Sequence, residues 1–312
     1  MAACLLILAL QMAGENAEGE KGTMQVEKKP AVGIAWRRDQ TSESFVCTVE
    51  AVRAAGGTPV LLPMVKAAFF QYEEGRLRGC TDESGQLSPE ASAKVRAHSW
   101  QDSDALQVMQ GVSAIVFPGG EDISPSLYAK PQAVEAREGF SPERDVSDFL
   151  LMSLCLEKDV PVLALCRGCQ VLSVVSGAEM IQDIPAYLES RGIRHAHEHR
   201  NEPPSPGAYR DFAFHDVRVV EKDSLLYRIV GREVIPKAPS WHHQAVGSVE
   251  GTPLRVTGVF EAPGTELIEA VERPDKAFVL GLQFHPEIAV VRGLDETSIL
   301  YFRAIVEAAD GR

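Results

Sequence analysis

Short apolar runs alternate with helical spacing through the first two thirds of the chain. AVGIAW (residues 31–36), TPVLLP (58–63), SAIVFPGG (113–120) and VPVLAL (160–165) are apolar blocks of strand length. Between them, residues 43–55 carry helical spacing up to a stop at Gly56-Gly57, and residues 145–158 do so with Asp145 placed as an N-cap. GCQVLSVVSG (168–177) predicts a further helix closed by glycine. This alternation predicts βαβ units and a mixed, mostly parallel sheet in an α/β fold. After about residue 210 the rhythm changes. FAFHDVRVV, TPLRVTGVF, ELIEAVE and AFVLGLQF predict strands with few helices between them, an antiparallel extension of the same sheet, and a helix near 295–308 closes it.

Two stretches break the pattern. Residues 70–103 are polar and predict a loop or helical insertion, and residues 190–210, rich in proline and histidine, predict a surface excursion. At the start, the apolar run Ala2–Ala13 is shorter than the roughly 20 residues that span a bilayer. It resembles the h-region of a signal peptide, without the usual positive n-region, since the first lysine is Lys21. The expected organisation is a signal peptide and linker over 1–29 and one domain over 30–312. Export follows if the run acts as a signal, and a cytoplasmic location if it does not.

Composition narrows the function classes. With 312 residues, 45% of them hydrophobic, the chain can bury a large core. The net charge is −13 and no basic tract stands out, which argues against nucleic acid and an anionic membrane surface as partners. A small-molecule substrate fits better, and homo-oligomerisation stays open. Six cysteines in this length are not a disulfide framework.

Candidate chemistry gathers at three motifs. In LALCRGCQVLS (163–173), Cys166 and Cys169 have C-x-x-C spacing, which admits a redox dithiol, half a zinc site or a single catalytic thiolate. Cys166 ends a predicted strand and Gly168 opens a helix, the layout of a nucleophile elbow whose helix N-terminus favours thiolate. LGLQFHPEIAV (280–290) offers His285 as a base and Glu287 as its orienter, two positions apart and on one side of an extended chain. FPGGED (117–122) ends a strand in two glycines whose bare N–H groups, with that of Arg167, suit an oxyanion. Zinc at C-x-x-C lacks a second ligand pair, and a dithiol has no need of the other two motifs.

PGGEDISPSLY, LALCRGCQVLS and GLQFHPE, in this order, resemble the class I glutamine-amidotransferase-like superfamily. Arg144-Asp145, MIQDI (180–184) and SWHHQAV (240–246) look like its γ-glutamyl-γ-aminobutyrate hydrolase branch. The resemblance covers roughly residues 31–308. It implies a three-layer α/β/α sandwich and a hydrolase of γ-glutamyl amides, working through a cysteine acyl-enzyme with no metal or organic cofactor. Carried over by motif, Cys166, His285 and Glu287 form the triad, Gly120 and Arg167 supply oxyanion N–H groups, and Gly119 and Gln170 help hold the glutamyl moiety. Ser240, His242 and His243 are weaker pocket candidates. The insertion between 65 and 112 is a departure expected to reshape the mouth of the site. His195, His197 and His199 alternate as metal ligands can, but no matching ligand group lies near them in sequence, so a solvated loop is expected. Two other readings stand beside the hydrolase: a glutaminase subunit feeding ammonia to a separate synthetase, and a non-enzymatic binding protein on the same fold.

Overall fold

The computed structural model describes residues 29–133, 137–194, 199–205, 208–262 and 264–311. The signal-like run, His195 and His197 lie outside the described residues. The strands are Ala31–Ile34 (β1), Thr58–Leu61 (β2), Tyr72–Glu73 (β3), Arg76–Leu77 (β4), Ala114–Phe117 (β5), Val162–Leu165 (β6) and Glu179–Ile181 (β7). Ala213–Val219 (β8), Val234–Ser240 (β9), Ala245–Ser248 (β10), Arg255–Ala262 (β11), Thr265–Glu272 (β12) and Val279–Leu282 (β13) follow. The helices are Glu43–Ala54 (α1), Pro89–Ala97 (α2), Ala105–Val108 (α3), Pro142–Glu157 (α4), Arg167–Val175 (α5), Ile184–Ser190 (α6), Leu225–Val230 (α7), Pro286–Arg292 (α8) and Ile299–Asp310 (α9).

One mixed sheet runs in the order β2-β1-β5-β6-β13-β12-β11-β8-β9, with β10 beside β12 and β7 beside β10. Pairing is parallel from β2 through β13 and antiparallel from β13 outward. The physical reason is visible in each strand. β5, β6 and β13 are buried along their whole length, so they are apolar throughout, as strands covered on both faces must be. β8 instead alternates, with Ala213, His215, Val217 and Val219 inward and Phe214 and Asp216 outward.

Each face of the sheet carries a core. α4 and α5 supply Leu150, Leu151, Cys155, Cys169 and Leu172 to one, and α1 and α9 supply Phe45, Val52, Phe302 and Ile305 to the other. The result is the expected α/β/α sandwich.

One local expectation is corrected, and another is settled in favour of its helical form. α4 begins at Pro142 after Ser141, so Asp145 sits inside the first turn and is not the N-cap; its carboxylate accepts from the Ser124 N–H at 3.1 Å and from Arg167 instead. The 70–103 stretch is not a bare loop. It folds as the β3–β4 hairpin and α2, capped by Ser88 onto the Ala91 N–H, and Leu77, Leu87, Ala91 and Val95 pack into the core.

Candidate active site

Three chain segments meet at the carboxyl edge of the parallel strands, where α/β sheets place their sites. Cys166 lies between β6 and α5 with φ 48° and ψ −104°, a backbone conformation that few side-chain-bearing residues adopt. Its N–H donates to the Leu282 carbonyl of β13 at 2.7 Å, which ties the elbow to the strand that delivers His285. Gly168 is required two residues on: a Cβ there would lie 2.4 Å from the Phe117 carbonyl oxygen, so only glycine lets α5 pack so close to β5.

His285 caps α8, and its N–H donates to the Pro239 carbonyl at 2.8 Å. Glu287 stands in the first turn of that helix, so the pair meets across a helix start and not along an extended chain as expected. His285 Nδ1 donates to Glu287 Oε1 at 2.7 Å, and the same oxygen accepts from Ser44 Oγ at 2.7 Å. A Cβ on Gly119 would lie 2.8 Å from His285 Cε1 and 3.5 Å from Cys166 Cβ, so the imidazole and the thiol flank the same glycine. Burial alone would lower the His285 pKa; the charges of Cys166 and Glu287 beside it outweigh burial and raise it to about 10. Cys169, by contrast, is fully buried, its thiol pushed up by desolvation, and Gly281 of β13 leaves just enough room for its sulfur.

The Gly119-Gly120 turn is pinned from below. Arg144 donates to the Pro118 carbonyl at 2.7 Å and to the Gly119 carbonyl at 3.0 Å. A Cβ on Gly120, which has φ +152°, would strike Arg144 Nη1 at 2.0 Å. Arg144 and Arg167 are themselves held in a buried ionic network with Asp145, Asp148 and Glu121. Burial would raise the Glu121 carboxyl, but the Arg144 and Arg37 charges hold it down to about 2. The Arg167 side chain is thus structural here, and its backbone N–H opens α5 beside Cys166.

Cys166, His285 and Gly120 open into a cavity of about 280 Å³, also walled by Arg37, Ser44, Glu138, Tyr209 and Trp241. A recess of about 10 Å³ continues from Cys166 and Gly120 past Gln170 to His242, His243 and Gln244. There Gln170 Nε2 donates to the Gln244 carbonyl and to Gln283 Oε1, each at 3.4 Å. Both ring nitrogens of His243 are taken up by Asp122 (3.0 Å) and Asp183 (3.1 Å). Ser240 is in neither wall; its buried hydroxyl donates to the His199 carbonyl at 2.9 Å, which removes it from the pocket candidates. No residue of the 65–112 insertion lines the cavity, so it does not reshape the mouth. The 190–210 excursion does reach it: Tyr209 is in the wall, and Arg200 and Arg210 pair with Glu138 at 2.5 and 2.9 Å.

Arg37, Ser44, Glu138, Tyr209 and Trp241 are absent from the sequence-derived site. Arg37 left a trace, because it closely follows the first strand at the sheet edge that carries sites, and Trp241 left another, because it lies inside the SWHHQAV motif. The others stand in helix or loop and meet only through tertiary folding.

In fold the chain is similar to the glutaminase domain of Trypanosoma brucei CTPS, solved with bound acivicin. The TM-score is 0.50 at 15% identity, over 91% of this chain and 94% of that one. This is a likeness of fold. More narrowly, residues 95–287 match the Peptidase C26 family, and the chain belongs to that hydrolase family. It is 32% identical over 204 residues to the Mycobacterium tuberculosis protein Rv2859c, named as a provisional glutamine amidotransferase, across 65% of this chain and 58% of the relative. It is 28% identical over 190 residues to the γ-glutamyl-γ-aminobutyrate hydrolase PuuD of Escherichia coli, across 58% of this chain and 66% of that protein. Both of these sequence matches span less than two thirds of the relative's length.

Proposed function

We propose that the chain hydrolyses γ-glutamyl amides through a Cys166–His285–Glu287 triad. The observation that carries this reading is the strained Cys166 elbow, which shares a glycine contact with a His285 already bound to Glu287, at the floor of an open cavity. The Cys166 thiolate adds to the γ-carbonyl carbon, and the oxyanion so formed accepts from the N–H groups of Gly120 and Arg167. The C–N bond breaks as His285 gives its proton to the departing amine, leaving a glutamyl thioester. Water then adds to the thioester carbonyl while His285 takes its proton. The C–S bond breaks, glutamate leaves and the thiolate is restored.

The cavity also suits the amino-acid end of such a substrate. Arg37 offers a cation to an α-carboxylate and Glu138 an anion to an α-ammonium, on the same wall system as Cys166. Holding both ends fixes the γ-carbonyl against the sulfur and supplies much of the rate by positioning.

The test is a panel of γ-glutamyl amides, including glutamine because relatives carry amidotransferase names, with released glutamate and amine measured by mass spectrometry. The account expects turnover of at least one γ-glutamyl amide, with the matched glutaryl amide, which lacks the α-amino group, at least tenfold slower. Equal rates for glutaryl and γ-glutamyl amides overturn the γ-glutamyl assignment.

A further inference from the structure

On the antiparallel side of the sheet, behind the candidate active site, four titratable side chains converge in the interior. His199 precedes the last strands in sequence, His215 is in β8, His242 lies between β9 and β10, and Glu269 is in β12. All four are buried, and one ligand atom from each lies within 4.8 Å of the others. Glu269 is at the centre: its oxygens are 3.2 Å from His199 Nε2, 3.5 Å from His242 Nε2 and 3.6 Å from His215 Nε2. A carboxylate with no solvent contact requires compensation, and a cation held between it and the three imidazoles would supply it.

We propose that His199, His215, His242 and Glu269 form a structural site for a single divalent transition-metal ion, zinc in the first instance. The donor set fits. Zinc takes nitrogen and carboxylate ligands at about 2.0–2.2 Å in a tetrahedron, which puts neighbouring ligand atoms about 3.3–3.5 Å apart. The three spacings to Glu269 fall close to that value.

Three further observations point the same way. His242 Nδ1 donates to the Gln244 carbonyl at 2.9 Å and His215 Nδ1 to the Asp216 carbonyl at 3.3 Å. Each bond places the ring proton on Nδ1 and leaves the Nε2 lone pair turned toward Glu269, as the outer partners of metal-bound histidines do. Secondly, Nε2 of His215 and of His242 and both oxygens of Glu269 make no hydrogen bond among the described residues, although all are buried. Lastly, the ring of Phe260 packs edge-on against His199 and His215 at 4.6 and 5.2 Å and closes the site with an apolar wall.

Four protein ligands fill a tetrahedron, which makes the site structural and not catalytic. Its position says what it would hold. The His242 N–H donates to the His199 carbonyl at 2.9 Å, and the Ser240 hydroxyl donates to the same carbonyl at 2.9 Å. The ion would therefore lock the 199 loop onto the segment that carries Trp241 into the cavity wall and Gln244 beneath Gln170. A small cleft lined by Arg200, Glu202 and Ile184 reaches His199 and His242 from outside and offers an entry path.

The full chain is purified without added metal and dialysed against EDTA, and its zinc is measured by plasma mass spectrometry. Cys166→Ala and Glu269→Gln are treated alike, the former to remove the cavity thiol, which could itself hold zinc. We expect about one zinc per chain in wild type and in Cys166→Ala, and less than a tenth of that in Glu269→Gln. If Glu269→Gln does not fold, wild-type apoprotein made with dipicolinate is titrated with Co²⁺. Intense visible bands of a tetrahedral site and a melting temperature that rises with metal support the proposal. Metal retained by Glu269→Gln but lost from Cys166→Ala overturns it, as does a wild-type protein that neither carries zinc nor gains cobalt bands or thermal stability.

Discussion

At the scale of single residues, His285 is the candidate catalytic group whose surroundings bind a proton unusually tightly. Its pKa of about 10 lies above the ordinary 6.5, so the folded protein holds that proton more tightly than the unfolded chain does. The sign follows. Stability from this group is complete below pH 6.5 and is lost as pH rises through about 10. Chemical denaturation should therefore show wild type losing more unfolding free energy than His285→Gln between pH 6.5 and 10. A parallel decline in the two proteins would mean that the charges around His285 do not hold its proton. The two cysteines of CRGC part company at this scale as well. Cys166 opens on the cavity with a strained backbone, whereas Cys169 is packed behind β13 with a thiol that desolvation keeps neutral. That contrast was readable in outline from the sequence, because a strand before one cysteine and a helix around the other put them on different surfaces.

Among elements, the decisive contact is the approach of α5 to β5. With a Cβ at Gly168 only 2.4 Å from the Phe117 carbonyl oxygen, the clash falls on backbone, which cannot rotate away. Gly168→Ala should destabilise the fold by about 1–3 kcal/mol, the range for overpacking, read from urea unfolding, and should reduce soluble yield. A variant as stable as wild type would show that the elbow has slack. Elements were legible where packing on both faces forces a continuous apolar run: β1, β5, β6 and β13 all lie inside the blocks read from sequence. Legibility failed where a polar surface hides a packed interior. The 70–103 segment reads by composition as a loop or helical insertion without a core, yet its few apolar residues are the ones that turn inward. The start of α4 was misplaced because Asp145 is a capping residue type whose carboxylate is instead taken by Arg167 and the Ser124 N–H.

Across the whole molecule, the parallel half of the sheet supplies the triad segments together with Arg37 and Ser44, and the segments beside β8 and β9 bring Tyr209 and Trp241 to face them. Cys166, His285 and Glu287 could be found in sequence because each follows a strand within a short motif. The wall could not, because Arg37, Glu138, Tyr209 and Trp241 come from four separate segments with no shared spacing. The His199, His215, His242 and Glu269 cluster left a fainter signal: a histidine and a glutamate each stand at an inward position of a strand among apolar neighbours. The sequence pattern around HAHEH pointed to its own neighbours, while the partners of His199 come from β8, β12 and the turn between β9 and β10.

The central claim is that Cys166 carries the glutamyl group. The most direct measurement is acid quench of wild type, Cys166→Ala and Cys169→Ala during turnover of a γ-glutamyl amide, followed by intact and peptide mass spectrometry. The account predicts a glutamyl adduct on Cys166 in wild type and in Cys169→Ala, the latter turning over within about tenfold of wild type, equivalent to about 1.4 kcal/mol of barrier. Cys166→Ala should show no adduct and a loss of at least about 10⁴ in turnover. An adduct on another residue, or a Cys166→Ala protein that keeps a tenth of wild-type turnover, would contradict the account.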